Sequence, residues 1–182
     1  MKVSLTTDEM LEVWRLHRAL LPLREDCVVE RQDGIDLDKY LQREMRNWYL
    51  DLLDTAPIEM LKVTDIADET VVRPNADGSA SVTLPERCRR VLEVKLSGWE
   101  RPARIVDPAE LPVVSWQQNP YSMGHESEPV AINDTGTLQL YSIPDGVTTP
   151  RLESLKCIIE PDEGLYVLDE RAFSLIPKPT DL

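Results

Sequence analysis

A change of periodicity at Pro57 constrains this fold more than any other feature of the sequence. Before it, apolar residues recur at helical steps of three and four. After it, prolines and turn residues punctuate short β-rich runs. The expected class is therefore α+β, an N-terminal helical pair followed by an antiparallel β-rich sandwich or small barrel. The expected division is a helical region over 1–56, a β-rich domain over 57–168, and a tail or short helix over 169–182. With 182 residues the chain can bury a sizeable core without disulfide or metal staples.

Residues 6–21 read as the first helix. Thr6 with Glu9 three positions on makes a capping box. Met10, Trp14, His17 and Leu21 fall on one face, and Pro22 argues for an end there. His17 lacks an evident partner for acid–base work and reads as an ordinary helix histidine. Residues 36–53 read as the second helix, with Asp36 as N-cap and Ile35 and Tyr40 in staple positions. Leu37, Tyr40, Leu41, Met45, Trp48, Tyr49 and Leu52 make its apolar face. Between the helices, Cys27, Val28 and Val29 leave room for a short strand.

Four hairpins are expected beyond Pro57. The first joins 71–73 to 81–84 through Asn75, Ala76, Asp77 and Gly78. The second joins 91–99 to 103–106, with Val91, Glu93, Lys95 and Ser97 alternating against Leu92, Val94, Leu96 and Gly98. The third joins 130–133 to 137–142 through Asp134, Thr135 and Gly136, and the fourth joins 152–160 to 165–168 through Pro161, Asp162, Glu163 and Gly164. Residues 112–129 read as a long polar loop, a kind of segment that often carries function. Asp169 can start a helix that Pro177 and Pro179 stop, leaving a loose tail.

Motif searching turns up no catalytic signature. GxSxG, the P-loop pattern and HExxH do not occur. Three scattered cysteines, Cys27, Cys88 and Cys157, argue against a disulfide framework or structural zinc and read as buried thiols. His125, Glu126, Ser127 and Glu128 bring nitrogen and oxygen ligands together, but too few for a site by themselves. The acidic groups at Asp65, Asp68 and Glu69, and at Asp162 and Glu163, adjoin turn residues and read as solvated. No catalysis, no cofactor and no metal are expected. The chain has no run of about 18 apolar residues, so no membrane span is expected either. Its start, MKVSLTTDEM, places acids where a secretory core would be, and the expectation is intracellular synthesis.

The net charge is −13. Most of the surface should repel DNA, which opposes binding through a wide basic face. Against that background Arg87, Arg89 and Arg90 form a small basic spot, suited to carboxylates on a partner. Trp99 and Trp116 are candidate interface anchors. For each of these five residues the plainer alternatives, local ion pairs or core burial, stay open.

The order of parts is two helices, then LPERCRRVLEVKLSGW, a polar loop, and AINDTGTLQLYSIPDG. In this it resembles the ring-forming head-to-tail adaptor proteins of tailed bacteriophages, the connector and tail-tubular type. Members tend to carry Leu-Pro-x-x-x-x-Arg-Val opening a β segment, here Leu84, Pro85, Arg90 and Val91 with Arg89 beside them. They also tend to carry a strand ending in Tyr-x-x-Pro, here Leu138 to Pro144. The likeness covers most of 6–160. The family's helices after the β part have only 169–176 as a counterpart.

That resemblance implies a non-catalytic virion protein, assembled in the host cytoplasm. Its partners would be copies of itself in a ring, portal and tail proteins, and DNA passing a channel without specific binding. The arginines would then sit at the edge of the β segment, available to a neighbouring subunit. A heterologous ring needs two different complementary faces. The competing expectation is a non-viral β-rich module that binds a ligand or peptide, with a concave pocket under 112–129.

Overall fold

A computed structural model describes residues 1–18, 37–119, 121–144 and 146–178. The fold is α+β, and among the described residues no barrel closes. The chain divides into two compact units. One is Met1–Lys62 with Glu160–Leu182, and the other is Val63–Ile159. The boundary therefore differs from the expected 57–168, because the last strand belongs with the first residues of the chain.

The first unit opens on strand β1, Lys2–Thr6, which leads straight into helix α1, Thr7–His17. Thr6 makes the expected capping box. Its hydroxyl accepts from the Glu9 amide, while the Glu9 carboxylate accepts from the Thr6 amide at 2.8 Å. Met10, Leu11 and Trp14 form the buried face, whereas His17 is exposed. Helix α2 spans Leu37–Thr55 and buries Leu41, Met45, Tyr49, Leu52 and Leu53, while Tyr40 stays in solvent. Leu21, Ile35, Asp36, the proposed strand at 27–29 and the tail beyond 178 lie outside the described residues.

Strand β10, Leu165–Asp169, pairs antiparallel with β1 from Lys2↔Asp169 to Thr6↔Leu165. The expected hairpin between 152–160 and 165–168 is thus wrong. Pro161 to Gly164 do turn the chain, but the two strands go to different sheets. Tyr49 fastens the α2 helix to β10, its hydroxyl accepting from the Val167 amide at 2.9 Å and donating to the Val167 carbonyl at 3.2 Å. Asp169 then caps a short 3-10 helix, Glu170–Leu175, where the sequence placed a helix start.

The second unit holds two sheets. The smaller runs β2–β9–β5, with β2 at Val63–Asp65, β9 at Leu152–Ile159 and β5 at Cys88–Leu96. The larger runs β3–β4–β8–β7–β6, with β3 at Val72–Pro74, β4 at Ala80–Thr83, β6 at Arg104–Val106, β7 at Val130–Asp134 and β8 at Thr137–Leu140. Both sheets feed one core through Val82, Val94, Leu96, Leu138, Leu140 and Leu155. Each such side chain contributes about 1.5–3 kcal/mol relative to exposure.

The first and third hairpins form as expected. In the third, Thr135 and Gly136 both take positive φ, 38° and 82°, matching the twist that a two-residue turn needs. The second hairpin does not form. β5 pairs with β9, and β6 pairs parallel with β7. A parallel pair needs a crossover of a dozen or more residues. Residues 107–129 are that crossover, and they contain a short helix α3, Leu111–Trp116, where a continuous loop was expected. The alternation read in β5 also breaks. A bulge between Val91 and Glu93 puts Val91 on the core side with Val94 and Leu96.

Candidate functional site

The three arginines stand where β5 begins. Arg87 lies in the turn before it, and Arg89 and Arg90 lie within it. β5 is an edge strand of the smaller sheet. A second bulge falls there, because Cys88 faces Ile159 and Arg90 faces Ile158. Arg89 is the extra residue, and a bulge at a sheet edge re-aims its side chain. Arg87 and Arg89 are exposed and Arg90 is half-buried. Each already engages in an interaction within this chain.

The tryptophans separate. Trp99 is 3% exposed, and its indole N–H donates to the Ser142 carbonyl at 2.7 Å. It fills the core and is no surface anchor. The turn at Gly98, φ 99°, directs it inward. Ser142 takes a positive φ of 66° to present that carbonyl. Trp116 is 52% exposed at the end of α3. The same crossover exposes Tyr121 and Met123.

Trp116 and Met123 line a cleft of about 640 Å³ in the second unit, together with Arg101, Arg104, His125 and Glu128. Two ion pairs mark its surroundings, Arg101–Glu128 at 2.6 Å and Arg104–Glu110 at 3.1 Å. The Glu128 carboxylate of the His-Glu-Ser-Glu stretch is thereby engaged by an arginine. Buried Gln117 braces the wall. Its amide oxygen accepts from the Gly124 N–H at 3.0 Å, and its amide nitrogen donates to the Val113 carbonyl. Gly124 is required there, since a Cβ would come within 2.8 Å of both the Glu128 carbonyl oxygen and the Ser142 hydroxyl.

The acidic clusters have structural roles or lie exposed. Asp65 accepts from the Ala67 and Leu155 amides, both at 3.0 Å, which fixes the turn after β2 against β9. Asp68 and Glu69 sit exposed on the 3-10 turn Ala67–Glu69. Among the described residues, no cluster of three or more histidine, cysteine or acidic side chains could hold a metal ion. No helix among them is long and apolar enough to cross a membrane.

Sequence reasoning pointed to 112–129 as a polar loop, to a concave pocket beneath it in the binding-module reading, and to Trp116 within it. It missed Arg101, Arg104 and Gln117 as parts of the same cleft. The signal for the first two was their place just before the crossover, which is readable only once β6 and β7 are known to be parallel. The two stretches that carry the phage-adaptor likeness do meet in space. The Leu84 amide donates to the Gly136 carbonyl at 2.8 Å, and Trp99 reaches Ser142. No protein-family model and no curated protein matches the chain.

Proposed function

We propose that this protein is a non-catalytic virion structural protein, a ring-forming head-to-tail adaptor that joins portal to tail. The observation that carries the reading is the crossover surface: Trp116, Tyr121 and Met123 are exposed on one segment, beside a cleft edged by arginine–glutamate pairs. Aromatic and methionine side chains with arginine are the usual composition of a protein–protein contact. The arginine-bearing entry to β5 supplies a second, chemically different face, as a heterologous ring requires. The stretches of the resemblance meet in the second unit, the Leu84 amide donating to the Gly136 carbonyl that precedes Leu138 to Pro144, and this supports it further. The net charge of −13 suits a channel wall along which DNA moves without sticking. Assembly would take place in the host cytoplasm, and the protein would end in the virion.

Light scattering across concentration, alone and with a candidate portal protein, tests the proposal. A large, discrete, closed species is expected, and Trp116→Ala or the double change Arg89→Glu with Arg90→Glu should abolish it. A monomer that ignores the portal overturns it. The cleft favours a second reading, a binding module for a small ligand or peptide, because its volume lies within the range of ordinary ligand pockets. In that case ligand-induced stabilisation, weakened by Gly124→Ala, would appear without any assembly.

A further inference from the structure

We propose that Cys88 and Cys157 form a peroxide-responsive disulfide latch that ties β5 to β9 where the arginines stand. The pairing register places both thiols on the same side of adjacent strands. Cys88 faces Ile159 and Cys157 faces Val91, which makes the two cysteines diagonal neighbours. Cys157 belongs to the apolar core, and Cys88, Val91 and Ile159 pack against it. Diagonal neighbours on one face of an antiparallel pair stand about 7–8 Å apart, so closing the bond draws this end of β5 toward β9. The bulge between Cys88 and Arg90 gives this end of β5 an irregular register instead of a rigid ladder.

The two thiols differ in access and in acidity. Cys157 is fully buried, whereas Cys88 is only half-buried. The neighbouring Cys157 thiol holds Cys88 below its ordinary value, and the Cys88 neighbour together with burial pushes Cys157 up. That asymmetry assigns the roles, because the thiolate is the nucleophile. The Cys88 thiolate attacks one oxygen of a peroxide. The O–O bond breaks and hydroxide leaves, taking up a proton. The resulting sulfenic acid is attacked by the Cys157 sulfur, whose proton goes to the departing hydroxide. Two thiols and one hydrogen peroxide thus give one disulfide and two waters.

The inference stands apart from the adaptor reading, since its readout is chemical. The reduced, folded protein is treated with stoichiometric hydrogen peroxide, alkylated under denaturing conditions and mapped without reduction. One linked peptide pair, Cys88 to Cys157, is expected, with an intact mass lower by two hydrogens. The same link should form in Cys27→Ser and be absent in Cys88→Ser. Dithiothreitol should reverse it, and the oxidised form should melt at a higher temperature. The idea is overturned if both thiols remain alkylatable, if Cys88 stops at sulfinic acid with Cys157 untouched, or if the link goes to Cys27. Mapping of the unsubstituted chain decides the matter even if a variant fails to fold.

Discussion

The two units are held together in different ways. The second unit, Val63–Ile159, is one continuous stretch whose aliphatic core is shared by two sheets. The first is assembled from both ends of the chain, and polar contacts fasten its parts beside a buried apolar set that includes Met10, Trp14, Met45, Leu61 and Leu168. Tyr49 bonds twice to Val167, Arg46 pairs with Glu160, and Asp169 is bonded by Arg171 and by the amino terminus. Contiguous segments can settle their packing through many small apolar contacts. A unit closed by distant segments adds a few directional ones, and those are easier to break individually.

The largest test of that contrast is to end the chain before Glu160. The first unit loses β10, the sole strand paired along β1 among the described residues. Hydrogen exchange should show α1 and α2 losing protection together while the strands of the second unit keep theirs. Protected helices without β10 would remove the distinction. Next, Trp14→Ala should cost about 3–5 kcal/mol in the first unit, and Leu155→Ala about 2–5 kcal/mol in the second. Denaturant melts followed by exchange should place each loss in its own unit. Tyr49→Phe should then cost roughly 1–3 kcal/mol, because it leaves the half-buried amide and carbonyl of Val167 without their phenol partner. An unchanged melt would show that water satisfies them.

Acid should sharpen the comparison further. Hydrogen bonds from the Arg171 side chain and amide, with help from the amino terminus, hold the Asp169 carboxyl far below its ordinary value of 3.8. A carboxylate depressed in the fold stabilises it fully above the unfolded value and less as pH falls toward the folded one. Melting of the first unit should therefore weaken below about pH 4, and Asp169→Asn should flatten that dependence. The smallest effect belongs to the exposed pair Arg101–Glu128. Arg101→Ala should shift stability by no more than about 0.5 kcal/mol, which leaves it usable as a probe of the cleft.

Local chemistry was readable in the sequence, and long-range pairing was not. Thr6 with Glu9 announces α1, and Gly78 and Gly136 announce their hairpins, because each signal lies within a few residues of what it causes. The turn at Pro161 to Gly164 is just as clear, yet it says nothing about which strands its arms will join. β10 joins β1, and β1 itself was overlooked although Val3 and Leu5 alternate as a half-buried strand does. The same limit hid the parallel pairing of β6 with β7, and with it the meaning of 107–129 as a crossover. Trp99 and Trp116 look alike in sequence. Only the position of the Ser142 carbonyl and the path of the crossover separate a core residue from a surface one. For Arg87, Arg89 and Arg90, a place at the entry to a strand was readable from Leu84-Pro85, but the edge position of that strand and the bulge at Arg89 have no sequence signal of their own.

The pairing of β1 with β10 also sets a schedule. A ribosome delivers β1 and both helices first, then the whole second unit, and only then β10. At roughly 5–20 residues per second, the early segments wait on the order of ten seconds for their partner strand. Meanwhile the second unit has its full sequence and can settle before the first is complete. During that interval the face of α2 around Tyr49 lacks the strand it fastens. Nascent chains stalled before Leu165 should therefore be the ones that chaperones hold longest.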